Sequence, residues 1–301
     1  MRERLPSLTA AAVSIYRSVA SLPGSPVDFA NDRGMRALMP GPAEAALSAL
    51  GTITAREPRA HALASAGTLG LLPHVALRTA AIDLALRHER ATRGIPQLVL
   101  LGAGLDARAY RMPELSETRV FEVDFPSTQA LKRARAASLA PRAKELRWAA
   151  IDFERDALGE VLARAGHDAS VRTVWLWEGV TMYLVKEALE ATLAVVRDRS
   201  TVGSSLLVTY ATDELAAFEA AGARLAIGQG PLAPLVELGF GILGEPLRGR
   251  MSPARAKETL ARFGLAVESD RGPADWAKTH WRGRAPRIVI GERLAIARRV
   301  A

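Results

Sequence analysis

From residue 97 onward the chain repeats one pattern, a short apolar run followed by helical sequence, at intervals of roughly 30 residues. The runs are QLVLLGAG, TRVFEVD, LRWAAID, TVWLWEG and SSLLVTYAT, beginning at residues 97, 118, 146, 173 and 204. Near-continuous apolarity, as opposed to alternation, marks strands covered on both faces, and this spacing fits successive βαβ units. The expected fold is therefore α/β and doubly wound, with a mostly parallel seven-stranded sheet and helices on both sides. LAVESD and RLAIARRV would supply the last two strands. Before them, MSPARAKETLARFG reads as a helix with Ser252 as its cap, Pro253 in its first turn and Gly264 as its stop.

The first 94 residues hold no strand-like run and read as a helical cap on the core at 95–301. Residues 213–250, a mixture of helical sequence and Gly/Pro loop, read as a lid inserted at the carboxyl edge of the sheet. The opening MRERLPSLTAAAVSIYRSVAS imitates a signal peptide, but Ser14 and Arg17 interrupt its apolar stretch. It reads instead as an amphipathic helix capped by Ser7, with Leu8, Ala11, Ala12, Ile15 and Val19 on its apolar side, closed by Pro23-Gly24. No apolar run reaches the ~18 residues that span a bilayer.

Composition closes several routes. With no cysteine the chain has no disulfide, zinc ribbon, iron–sulfur cluster or thiol nucleophile, and it suits a reducing cytoplasm. A net charge of +8 raises nucleic acid as a partner, yet only five of the 40 basic residues are lysine. The arginines are scattered beside acids, which is the pattern of solvated faces.

In open α/β sheets, ligands bind beyond the carboxyl ends of the strands, and that is where the polar residues stand. The first run leads into Gly102-Ala103-Gly104-Leu105-Asp106-Ala107, the second ends at Glu122 and Asp124, the third at Asp152, and the fourth at Glu178-Gly179. Four successive strands thus aim carboxylates at one crevice, headed by a glycine turn that lets backbone approach a ligand. Asp124 lies 20 residues after Gly104, where an acid can accept both ribose hydroxyl protons. The pattern is that of a nucleoside pocket, and Gly102, Gly104 and Ala107 also fit a dinucleotide fingerprint. Asp106 argues against a dinucleotide: at ~5 Å from a pyrophosphate it would cost roughly 3 kcal/mol per charge pair at an effective dielectric of 20, unless Arg108 neutralises it. A cationic sulfonium nucleoside would instead welcome the carboxylates.

LVLLGAGLDARAYR, VFEVDFPSTQALKRAR, Asp152-Phe153 and WLWEGVTMYL, with RTAAIDLALR upstream, together resemble the leucine carboxyl methyltransferase family, which includes bacterial and polyketide-tailoring O-methyltransferases. The resemblance implies S-adenosyl-L-methionine as cofactor. It makes Arg78 the arginine that reaches the methionine carboxylate, sets Gly102 and Gly104 along the methionine part, Asp124 on the ribose, and Asp152 with Phe153 around adenine. Glu178 would pair with Arg78 or the cofactor's ammonium, and Tyr183 would face the methyl-transfer site. Two departures stand out: Ala107 where many members carry threonine, and Asn31-Asp32-Arg33 in place of an aspartate-proline.

The resemblance further implies a small-molecule or peptide carboxylate as methyl acceptor, already ionised and in need of no general base. His61, His74, His88, His167 and His280 lie outside the motifs and show no metal-ligand spacing. A phenol or alcohol acceptor would need a base, for which His280 is the candidate. Arg248 and Arg250, at the end of the lid, are candidates to pair with an acidic substrate. The competing readings are a nucleotide-dependent oxidoreductase, a cofactor binder without turnover and a basic nucleic-acid-binding protein.

Overall fold

In a computed structural model of the protein, the described residues are 8–27, 36, 38–39, 41–57, 61, 68, 70–153, 155–212, 248–283 and 291–301. The apolar runs form β1 (Gln97–Leu101), β2 (Arg119–Asp124), β3 (Glu145–Ala150), β4 (Thr173–Trp177) and β5 (Ser205–Ala211), followed by β6 (Leu265–Arg271) and β7 (Glu292–Arg299). They make one seven-stranded sheet in the order β3-β2-β1-β4-β5-β7-β6. The first five strands pair in parallel, and β7 runs antiparallel to both β5 and β6. Strand order reverses between β1 and β4, so the crevice that such sheets use for ligands opens there.

The side-chain alternation of β1 and β4, both buried along their whole length, feeds two separate cores. Leu98, Leu100, Val174 and Leu176 pack on the side of α3 (Leu71–Arg93), against Leu77, Ile82 and Leu86. Val99, Leu101, Trp175 and Trp177 pack on the other side, against α6 (Leu158–Arg164) and α7 (Lys186–Asp198). Each such side chain contributes about 1.5–3 kcal/mol by leaving water, which explains the continuous apolar runs of the inner strands. The remaining described helices are α1 (Leu8–Ala20), α2 (Gly41–Arg56), α4 (Arg108–Arg111), α5 (Pro126–Arg135), α8 (Pro253–Arg262) and α9 (Pro273–His280). At α8 the Ser252 hydroxyl accepts from the Arg255 N–H at 3.3 Å, and Gly264 ends the helical segment with φ +67°.

Helix α1 corrects the reading of the N-terminus. Ile15, placed on its apolar side, is 42% exposed, whereas Ser14, Arg17, Ser18 and Ser21 are buried together with Val19 and Ala20. Small hydroxyls allow the close approach: Ser18 and Ser21 donate back to the backbone oxygens of Ser14 and Ser18 at 2.9 and 2.8 Å. Their polarity is thus satisfied within the helix, and Arg17 can be carried inward among them. The Ser7 cap and residues 213–247 of the expected lid lie outside the described residues. No helix among the described residues is long and apolar enough to cross a membrane.

Candidate active site

The turn after β1 presses against the turn after β4. Gly102 has φ +68°, and a Cβ there would lie 2.6 Å from the Val180 Cγ2, so both backbone strain and space require glycine. The N–H groups of Gly102 and Ala103 donate to the Val123 carbonyl at 2.9 and 3.0 Å. Gly104 (φ +47°) donates its N–H to Asp124 Oδ2 at 2.5 Å, while Phe125 donates to Oδ1 at 2.6 Å. Asp124 therefore spans the ends of β1 and β2. The next strand joins on, Ile151 N–H donating to the Asp124 carbonyl at 2.9 Å, which brings Asp152 and Phe153 to the same edge.

Beside the glycine turn lies a cluster of buried charges centred on Glu178, the residue that follows β4. Oε1 accepts from Arg17 Nη2 at 2.5 Å and Arg78 Nε at 2.9 Å, and Oε2 accepts from Arg108 Nη1 at 2.8 Å. Burial alone would raise the Glu178 carboxyl; Arg17, Arg108 and Arg78 overcome it and hold it well below the usual carboxylate range. Arg108 also donates to Asp106 and, at 2.8 Å, to Asp83. Asp106 accepts the Arg108 backbone N–H at 2.7 Å, so this acid already caps the start of α4. Arg78 reaches past Glu178 to Glu292 on β7 at 2.8 Å. Gly179, with φ +68°, makes room: the site of its missing Cβ lies 3.5 Å from the Arg78 guanidinium nitrogens.

The structure thus brings Arg78, Gly102, Gly104, Asp124 and Glu178 into one continuous set of contacts, with Asp152 at the adjoining strand end. The Asp152 N–H donates to Asp156 Oδ2 at 2.8 Å, and Phe153 is 47% exposed, its ring lying on the surface. Tyr183 ends the turn Thr181–Tyr183, which is tied to β5 by the Thr181 hydroxyl donating to the Thr209 carbonyl at 2.7 Å. Arg248 and Gly249 donate backbone N–H groups to the Met182 carbonyl in that same turn, at 2.7 and 3.0 Å.

One expectation is corrected. Glu122 is not a crevice carboxylate: it is wholly buried and pairs with Lys132 of α5 at 2.6 Å. It shares a face of β2 with Val120 and Asp124 but lies two residues short of the strand end, within the core and below the mouth. Burial pushes its carboxyl up to about 7 against the opposing charge of Lys132. His280 ends α9, packed on α3, where burial lowers its pKa and its charged neighbours are Asp83 and Arg87.

Arg17 and Glu292 are members of the cluster that the sequence reading missed. The signal for Arg17 was the spacing of Ser14, Arg17, Ser18 and Ser21, a second helical stripe whose serines are small enough to bury. Glu292 carried no such signal, being one acid at the start of a strand.

Residues 16–197 match the leucine carboxyl methyltransferase family, and the chain belongs to it. A relative from Streptomyces coelicolor, named "Putative S-adenosyl-L-methionine-dependent methyltransferase", is 35% identical over 193 residues, covering 56% of this chain and 65% of its own. One of the same name from Mycolicibacterium gilvum is 34% identical over 202 residues, covering 62% and 64%. The matched stretch thus spans a little under two thirds of these relatives' length. Among solved structures, a "putative methyltransferase" from Thermobifida fusca covers 95% of both chains with TM-score 0.55 and 19% identity. A DUF574 family protein from Streptomyces avermitilis covers 96% of this chain and 97% of its own, with TM-score 0.55 and 16% identity. Both share the fold.

Proposed function

We propose that this chain is an S-adenosyl-L-methionine-dependent methyltransferase that converts a carboxylate on a small molecule or peptide to its methyl ester. The observation that carries the reading is Glu178, a desolvated carboxylate met by three arginines at the switch point of the sheet, next to a glycine turn and Asp124. An α-amino-acid tail suits that arrangement. Arg78 bonds the protein through Nε and Nη1, and its Nη2 is without a protein partner among the described residues, which fits a carboxylate. Glu178 fits the ammonium, and the Asp124 carboxylate, at the ends of β1 and β2, fits ribose hydroxyls. Asp152 and Phe153, on the adjoining strand end, are the residues for the adenine amine and ring.

Bound there, S-adenosyl-L-methionine would supply an electrophilic methyl group on a positively charged sulfur. The protein's part is alignment and exclusion of water. Arg17, Arg78 and Glu178 fix the amino-acid end, Asp124 fixes the sugar, and α1 covers the glycine turn, the site of a Gly104 Cβ lying 3.1 Å from the Ala10 Cβ. Tyr183 lies in the turn nearest the reacting end, with Arg248 alongside it to pair with an acidic acceptor. A carboxylate acceptor gives up no proton, so the reaction needs no general base. We place the protein in the cytoplasm, where a chain without cysteine is at home.

A pyrophosphate would have to displace Asp106 from the start of α4, which disfavours a dinucleotide. Nucleic acid is disfavoured by the pairing of surface arginines, as in Arg119 with Glu145 and Arg262 with Glu190. Calorimetric titration with S-adenosylhomocysteine, with NADH as the rival, tests the cofactor. Labelled methyl transfer into acid-containing metabolites and peptides tests the acceptor, the product being lost on mild base treatment if it is an ester. NADH binding in place of the homocysteine compound, or a base-stable product, would overturn the corresponding half.

A further inference from the structure

Arg78 is held from two sides. Its Nε donates to Glu178 at the end of β4, and its Nη1 donates to Glu292 Oε2 at the start of β7, at 2.9 and 2.8 Å. Glu292 is itself fixed: His74 Nε2, one turn earlier on α3, lies 2.6 Å from the same Oε2. The Thr209 hydroxyl on β5 accepts the Gly179 N–H at 2.8 Å, which holds the turn that follows Glu178. The contacts run in a chain, from Glu178 to Arg78 to Glu292 to His74. Burial alone would raise the Glu292 carboxyl, but Arg78 and then His74 hold it down at about 2, so it remains charged.

A guanidinium tied only to Glu178 could pivot about that carboxylate. Tied at Nε and Nη1 to acids on two different strands, it has one orientation, and that orientation leaves Nη2 over for a ligand. We propose that Glu292 is a positioning residue, which orients Arg78 toward the carboxylate of the cofactor's methionine end. This rests on the function proposed above and extends it to a residue on the antiparallel strand. Glu292 touches Arg78 and His74; its effect on the cofactor passes through Arg78.

Position and charge can be separated. Glu292→Asp keeps the charge and shortens the reach by one methylene; Glu292→Gln removes the charge and keeps an acceptor oxygen at the same reach. Affinities would be measured by calorimetry for S-adenosyl-L-methionine and for its decarboxylated analogue, which lacks only the carboxylate, with the melting temperature of each variant recorded. If Glu292 positions Arg78, Glu292→Asp weakens the full cofactor about tenfold and leaves the analogue unchanged, while Glu292→Gln stays within about threefold for both. Equal losses for both ligands in Glu292→Asp, no loss at all, or a larger loss in Glu292→Gln than in Glu292→Asp overturns the assignment. Should Glu292→Asp not fold, His74→Phe, which removes the second contact on Glu292 Oε2 and keeps a ring in place, is read by the same comparison of ligands. A wild-type protein that binds neither compound refutes the proposed function instead.

Discussion

The sheet carries a buried arginine cluster at each end, and helix α3 contributes to both. At the carboxyl edge Arg78 meets Glu178 and Glu292. At the amino edge Glu89, three turns further along α3, meets Arg298 of β7, which also pairs with Glu268 and Ser205. Both clusters are desolvated and both look like sites if only charge and burial are considered. They differ in saturation. Every guanidinium nitrogen of Arg298 is spoken for: Nε by Glu268 at 3.0 Å, Nη1 by Ser205 at 2.5 Å, Nη2 by Glu268 and Glu89 at 2.6 and 2.9 Å. Arg78 keeps Nη2 free of protein partners among the described residues and stands beside glycine turns with positive φ. A closed cluster fastens strands and helix together, whereas an open one beside exposed backbone can take a ligand.

The strongest test of that distinction is a pair of alanine substitutions. Arg298→Ala strands Glu89 in the interior and should cost about 3–5 kcal/mol of stability in urea unfolding, with S-adenosylhomocysteine affinity unchanged in the folded fraction. Arg78→Ala should weaken that affinity about a hundredfold, since a charge-assisted bond to a ligand carboxylate is lost. If Arg298→Ala loses the ligand while remaining folded, or Arg78→Ala retains it, the two edges do not divide the labour in this way.

Acid separates the edges next. His167, near the amino end of β4, is buried, accepts from Arg199 Nε at 3.2 Å and lies 3.0 Å from the Thr173 hydroxyl. Burial, with the charge of Arg199 adding to it, lowers its pKa to about 4 from 6.5. The unfolded chain therefore binds a proton below pH 6.5 that the folded chain refuses until about pH 4. Stability is full above pH 6.5 and falls as pH drops through that window, by about 3 kcal/mol at its end. His167→Gln should flatten this limb of the unfolding profile. Glu178 and Glu292 titrate below the window, so ligand affinity in the folded protein should stay level from pH 7 to pH 5. A parallel loss of affinity and stability would show that the carboxyl edge is not held charged by its arginines.

The two edges were also unequally legible. Strand positions, the glycine turn, Asp124, Arg78 and Glu178 could be read because period, spacing and family motif all mark them. The amino-edge cluster could not: Glu89, Glu268 and Arg298 are far apart in sequence, each looks like one more surface charge, and only the antiparallel return of β7 brings them together. Glu292 was hidden for the same reason. Arg17 was misread because hydrophobicity alone chose the buried face of α1, although serines that bond their own helix bury at little cost. Glu122 shows the converse error, since a carboxylate two residues short of a strand end stays within the core where its neighbour at the end, Asp124, reaches the mouth, and Lys132 ten residues later was the clue.

Within the carboxyl edge a smaller effect should separate the sugar end from the amino-acid end. Asp124→Asn removes the charge and puts an amide NH2 where Gly104 or Phe125 now donates, so affinity should fall about tenfold for S-adenosylhomocysteine and for adenosine alike. Arg78→Ala should leave adenosine untouched. Equal effects of both substitutions on adenosine would mean that the two ends are not separate contacts.

The smallest expected effect concerns His280, and its smallness is the point. A carboxylate acceptor arrives ionised, so no residue has to accept a proton, and kcat/KM of His280→Ala should lie within about twofold of wild type from pH 6 to pH 8. His280 sits against Asp83 and Arg87 on α3, between the two edges that the arginine clusters define, and its substitution should register only as a modest change in melting temperature. A drop of a hundredfold or more with a rising limb near the histidine range would mean that α9 turns this residue toward the acceptor during turnover. The methylated group would then be a hydroxyl, and the open cluster at the carboxyl edge would serve the cofactor alone.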